Sequence, residues 1–139
     1  MIPDWSPLLA LQRATHVTLH ELGTALVDLQ LTSSEINVLA NLADGRSRTV
    51  SQLGADVGSR PTTLTSVLDR LERRGLITRG ARAGDRRAVL ITLTETGHGT
   101  AATVRAAVTS LERHALDGLS DEQLAGLQAG LQALIESPR

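Results

Sequence analysis

The sequence has no cysteine, lysine, tyrosine or phenylalanine, and Trp5 is its only aromatic residue. The lack of cysteine excludes disulfides, thiol switches and cysteine metal sites. With so few aromatics, any core within the 41% hydrophobic content must be built from Leu, Val, Ile and Ala. No apolar run approaches the ~18 residues that a membrane span needs. The opening MIPDWSPLLALQ lacks the basic stretch that begins a signal peptide, so a cytoplasmic protein is expected. A glycine-rich phosphate loop is also missing, as is any Ser/His/Asp spacing with a local mechanism, so neither enzyme activity nor a cofactor is expected. At 139 residues, one domain spanning 1–139 is expected, with a modest core.

Arginine is what the chain does have. All 14 basic residues are arginines. Ten fall between Arg46 and Arg87, against Asp56, Asp69, Glu72 and Asp85, a net of +6. The remainder holds four arginines and eleven acids, a net of −7. The overall charge of −1 therefore conceals a cationic middle between anionic ends. A concentrated basic stretch on a helix–turn–helix pattern is the electrostatic footprint of a DNA reader.

The pattern comes from apolar spacing and punctuation. After Pro7, Leu8, Leu11, Leu19, Leu22, Leu26 and Leu29 recur at helical intervals and predict a long amphipathic helix to about residue 30. Three capping boxes follow: Thr32 with Glu35, Thr49 with Gln52, and Ser120 with Gln123. The first opens a helix that turns Ile36, Leu39 and Leu42 inward and stops at Asp44-Gly45. The second opens a helix ending near Gly58, and Ser59-Arg60-Pro61 starts the next, because proline is tolerated in a first turn. Here Leu64, Val67, Leu68 and Leu71 form an inward stripe. Thr62, Ser66, Asp69 and Arg73 point away from it, Thr63, Thr65 and Arg70 flank them, and Gly75 ends the helix. Leu76–Arg79 and Ala88–Leu93 read as two strands, the second with Val89, Ile91 and Leu93 inward, joined by an exposed loop over 80–87. Thr94 caps a long helix with Val104, Val108 and Leu111 on one face, and the last box opens a helix with Leu124, Leu127, Leu131 and Leu134 at 3–4 spacing. A small reading head cannot cover these extra seams alone, so a twofold homodimer built from the terminal helices is expected.

With these elements in order, the chain resembles the MarR family of winged helix-turn-helix regulators along nearly its whole length. Three segments carry the match: LTSSEINVLANLADG, RPTTLTSVLDRLERRGLITR, and DRRAVLITLTETG with Asp85, Arg87, Val89, Leu93, Thr94 and Gly97 in the wing signature. The resemblance implies a mainly α fold with a small β-wing. Residues 1–30 would form an N-terminal dimerisation helix, 31–94 a DNA-binding head and 95–139 C-terminal dimerisation helices. It also implies a repressor of a pseudo-palindromic operator in double-stranded DNA, released by a small organic effector in the cleft between head and dimer helices.

On that reading the exposed face of the second helix of the motif enters the major groove. Thr62, Thr63, Thr65 and Ser66 offer hydroxyls to phosphates or bases, and Arg60, Arg70 and Arg73 offer guanidinium groups to phosphate or guanine. Asp69 on the same face would repel phosphate and is expected to position an arginine. The resemblance implies that Arg87 enters the minor groove with Asp85 holding its guanidinium, while Arg82 and Arg86 meet phosphates. His16 and His20, four apart beside Glu21, have a spacing that can place two imidazoles on one metal. The alternatives are therefore a His-based metal-sensing regulator, or a winged-helix interaction module without specific DNA binding.

Overall fold

The computed structural model describes residues 3–82 and 85–138, and the backbone alone for residues 81, 82 and 85–88. Its elements in chain order are α1 (Pro7–Ala25), α2 (Ser33–Leu42), β1 (Arg48–Thr49), α3 (Val50–Val57), α4 (Pro61–Arg73), β2 (Ile77–Arg82), β3 (Asp85–Leu93), α5 (Glu95–Leu116) and α6 (Asp121–Glu136). All three capping boxes form: the hydroxyls of Thr32, Thr49 and Ser120 accept from the N3 backbone amide, and the Glu35, Gln52 and Gln123 side chains accept in return. Each box satisfies amide groups that a helix start otherwise leaves open.

α1 is shorter than the leucine spacing predicts. It ends at Ala25, a 3-10 turn covers Val27–Leu29, and Gln30 takes a left-handed conformation with φ 52°. Leu26 is buried at this joint, and Leu22, Leu29 and Leu31 pack beside it. The same leucines serve a helix face and a turn folded onto the core, so their spacing alone could not mark the break.

The strands also differ from expectation. β2 and β3 run on to Arg82 and from Asp85, in antiparallel register from Ile77 opposite Leu93 to Arg82 opposite Asp85, with an irregularity at Ala81–Arg82. Most of the predicted loop over 80–87 is therefore strand. An antiparallel ribbon satisfies its own backbone without apolar alternation, so a glycine- and arginine-rich sequence can remain extended. Val89, expected inward, is exposed, whereas Ile91 and Leu93 are buried. The two-residue strand β1, too short for any periodic signal, pairs with Leu90 and Ile91 and completes a sheet ordered β1-β3-β2.

The core lies in the head and draws on its three helices and two longer strands: Ile36, Leu39 and Leu42 from α2, Leu53 from α3, Leu64, Val67, Leu68 and Leu71 from α4, and Ile77, Ile91 and Leu93 from β2 and β3. Ala101 and Val104 of α5 join it. α1 and α6 bury no residue at all within the chain. No helix among the described residues is long and apolar enough to cross a membrane.

Candidate nucleic-acid interface

α3 and α4 are joined by a tight turn at Gly58, whose φ of 69° suits glycine and whose N–H ends α3 by donating to the Gly54 carbonyl. Arg60 is the N-cap of α4 without a side-chain bond, and Pro61 occupies the first turn. The inward stripe is as predicted: Leu64, Val67, Leu68 and Leu71 are all buried. Thr62, Thr63, Thr65, Ser66 and Arg73 are exposed, while Asp69 and Arg70 are half-buried. The outer face of α4 is thus a hydroxyl-rich first turn followed by cations.

Two hydroxyls bond back to their own helix: Thr65 Oγ1 donates to the Pro61 carbonyl at 2.8 Å, and Ser66 Oγ to the Thr63 carbonyl at 3.3 Å. Their lone pairs face outward as acceptors while the donor is used locally.

The cationic region divides into two kinds of arginine. Among the described residues, Arg60, Arg70 and Arg73 form no ion pair. Arg70 Nε has no hydrogen-bond partner there, and Arg73 Nε makes only a long 3.4 Å bond to the Asp69 carbonyl. Arg48, Arg74 and Arg79 are instead committed to acceptors of the chain itself, Arg48 and Arg79 within the head and Arg74 at the end of α1. Arg48 donates to Asp44 at 2.6 Å and Asp56 at 2.8 Å, tying the end of α2 to α3. The Arg48 hydrogen bond, helped by the Arg46 amide, holds the Asp44 carboxyl well below the usual carboxylate range. Arg79 Nη2, on β2, donates to Asp69 at 2.6 Å and Glu72 at 2.8 Å, both on α4. These bonds lower the Glu72 carboxyl and raise the Arg79 guanidinium.

Asp69 therefore does hold an arginine, and that arginine is Arg79, the root of the wing. Its negative charge on the outer side of α4 is offset by that guanidinium. Sequence reasoning singled out neither Arg48, Arg74 nor Arg79, since nothing in their local context separates them from the presented arginines. The side chains of Arg82, Asp85, Arg86 and Arg87 lie outside the described residues. In backbone terms the strands carrying them extend from the α4–β2 junction.

Behind the head, His16 and His20 line one cavity of about 580 Å³ with Leu19, Gly23, Thr24, Val27 and Ser33. Glu21 lines a different cavity, with His114 and α5 residues. His16 and His20 therefore share a cavity that Glu21 does not line. Among the described residues no three His, Asp or Glu side chains gather as a metal ion requires. A smaller cavity of about 240 Å³ lies between α1, α2 and α5 and is lined by Leu22, Asn37, Asn41 and Arg105 among others.

Comparison with known proteins agrees with this geometry. Residues 31–89 match the model of the MarR family. The structure of transcriptional regulator PA3341 is 33% identical with a TM-score of 0.82, over 91% of this chain and 93% of that one. CouR from Rhodococcus jostii RHA1, solved bound to p-coumaroyl-CoA, is 26% identical with a TM-score of 0.83, over 94% and 92% of the two chains. Overoxidized AbfR, solved bound to DNA, is 25% identical with a TM-score of 0.70, over 91% and 88%. The helix–turn–helix with its small antiparallel wing, the matching family model and a relative similar along almost its full length lead to one conclusion: this chain belongs to the MarR family of transcriptional regulators.

Proposed function

We propose that the chain works as a homodimer in the cytoplasm, reads a pseudo-palindromic operator with two copies of α4, and represses until a small organic effector releases it. The observation that carries the DNA-reading part is the division among the arginines. Among the described residues, Arg60, Arg70 and Arg73 form no ion pair and lie on the outer side of α4, Arg60 and Arg73 exposed and Arg70 half-buried, beside Thr62, Thr63, Thr65 and Ser66. A major groove about 12 Å wide admits one such helix, and guanidinium groups serve guanine or phosphate there. Arg82, Asp85, Arg86 and Arg87 complete the interface from the wing, with Arg87 in the minor groove.

Support for the dimer is the unpartnered apolar surface of the terminal helices. Trp5, Leu8, Leu9, Leu127, Leu134 and Ile135 are exposed in the single chain. Trp5, Leu11, Leu127, Leu131 and Leu134 line one groove of about 540 Å³ between α1 and α6. Burying such a surface is worth roughly 25 cal/mol per Å², and a second copy supplies the same surface in return. Effector binding is supported by the cavities beside α1 and by analogy with CouR, solved with a bound acyl-CoA.

The test is to incubate the purified protein with sheared genomic DNA, sequence what is retained, and repeat over a salt series, with the mass in solution measured alongside. Enrichment of a few fragments sharing an inverted repeat, with half-sites about one helical turn apart, is the expected result. Uniform retention that vanishes at modest salt would leave only phosphate attraction and favour an interaction module. A monomeric mass at micromolar concentration would end the dimer.

A further inference from the structure

The C-terminal end of α4 is where both long helices meet the reading helix. Three consecutive residues make the connection. Arg74, the C-cap, reaches across the head: Nη2 donates to the Leu29 carbonyl at 2.8 Å and Nη1 to the Gln30 carbonyl at 3.1 Å. The Gly75 carbonyl accepts from the Thr94 hydroxyl at 2.6 Å, and the Leu76 carbonyl from the Thr94 amide at 3.0 Å. Arg74 thus ties α4 to the end of α1, while Gly75 and Leu76 tie it to the start of α5.

The two ties differ in kind. At α5 the Thr94 hydroxyl and amide hold two successive carbonyls, and the backbones are so close that a Cβ at Gly97 would lie 1.8 Å from the Leu76 carbonyl oxygen. Little room is left there for one backbone to slide past the other. At α1 the contact is one long side chain on two carbonyls at the end of a 3-10 turn, where Gln30 is the only non-glycine residue with positive φ among those described. Carbonyls at a helical end carry partial negative charge and favour a cation, and the planar fork of arginine spans two acceptors where an ammonium does not. Glu35 lies under the same joint. One of its oxygens accepts from the Thr32 amide at 3.0 Å, and the other lies 3.9 Å from Arg74 Nη1. The cavity that holds His16 and His20 ends at Val27 and Ser33, on either side of this joint.

We propose that Arg74 is the positioning residue through which α1 and the reading face of α4 sense each other. With the α5 tie the tighter of the two, displacement of the α1 end is transmitted by Arg74 as a rotation of α4 about Gly75–Leu76. An occupied cavity beside Val27 would act on DNA affinity by this route, and DNA on α4 would act back on the joint by the same amount. The inference rests on the DNA-reading role proposed above.

Hydrogen exchange on the full chain tests it, with a duplex recovered by genomic selection as the probe. Two amides report on the joint: Leu29, bonded to the Leu26 carbonyl at 2.9 Å, and Gln30, bonded to the Val27 carbonyl at 3.2 Å. In the native protein, saturating duplex is expected to slow α4 amides and also to slow these two by about fivefold, the size of a modest coupling. In Arg74→Gln the α4 protection stays and the joint protection disappears. Should that variant fail to fold, Arg74→Lys, which keeps the charge and loses the fork, carries the same comparison. Protection of α4 with no change at the joint in the native chain, or with the same change in the variant, overturns the proposal. If no duplex protects α4, the DNA-reading role itself fails and this inference with it.

Discussion

The two ends of α4 are built on opposite plans. From Arg60 to Ser66 the helix carries an arginine with no ion pair among the described residues, a proline and four hydroxyl residues, all exposed apart from Leu64. From Asp69 to Leu76 it is held by Arg79 from the wing, by Arg74 against the α1 joint, and by Thr94 and Gly97 from α5. A helix that reads a groove must leave one end free to touch base edges. It can discriminate only if the other end fixes its aim. The same residue type serves both purposes, and what separates a presented arginine from a structural one is whether a carboxylate or carbonyl already occupies its guanidinium.

The sharpest way to break the held end is Gly97→Ala. The added methyl would meet the Leu76 backbone, which cannot move without unseating α4. Destabilisation of more than about 3 kcal/mol is expected, at the upper end for overpacking, read as a loss of urea midpoint or of soluble expression. A midpoint within error of the native protein would show that the contact yields. Next comes Thr94→Ala, which removes both the α5 N-cap bond to the Gly97 amide and the bond to the Gly75 carbonyl. Loss of such a cap costs about 1–2 kcal/mol, and a full thermal melt of the variant would show it.

Arg79→Ala should have a smaller effect on stability and a larger one on DNA. It cuts the wing from α4 and leaves Asp69 uncompensated on the reading face, so operator affinity should fall more than the melting temperature does. The Arg79 hydrogen bond lowers the Glu72 carboxyl in the folded state. A depressed carboxylate stabilises the fold above its unfolded pKa, near 4.3, and that contribution is lost as pH falls through the lower folded value. The native protein should therefore lose stability more steeply than Arg79→Ala as pH falls below the unfolded carboxylate value, and parallel acid titrations would refute the linkage.

At the free end the expectation reverses. Arg60→Ala and Arg73→Ala should leave stability within about 0.5 kcal/mol, as exposed substitutions do. Each should weaken operator binding by about 1–3 kcal/mol where the contact is to a base, or reduce the salt slope by about one where it is to phosphate. Smallest is Arg105→Ala, which lies outside the basic region beside Asn37 and Asn41. Arg87→Ala should cost more affinity than this control, and equal losses in a titration would argue against a wing in the minor groove.

Local chemistry was legible along the chain. The three capping boxes, the proline start of α4, the glycine stops at Gly58 and Gly75, and the buried stripe of Leu64, Val67, Leu68 and Leu71 all follow from residues within a turn or two of each other. The break after Ala25, the two-residue β1 and the long strands through Arg82 and Asp85 were not legible. In each case a packing or pairing partner, rather than local periodicity, decides the conformation: the core around Leu26, the edge of β3, the opposite strand. The interface divides in the same way. The hydroxyls and arginines of α4 can be picked from helical periodicity, and the acid among them can be expected to need a cation.

What the sequence by itself determined is which surfaces exist: a cationic helix face, apolar seams on the terminal helices, and caps that place each helix start. These depend on interactions spanning three or four residues, which composition and period encode directly. Only the tertiary structure decided which arginines are spent on the chain's own acceptors and which are presented, because Arg74 meets its carbonyls 44 and 45 residues away and Arg79 its carboxylates across a strand and a helix. A guanidinium is equally cationic in either place, and its role follows from the acceptors that folding brings within about 3 Å.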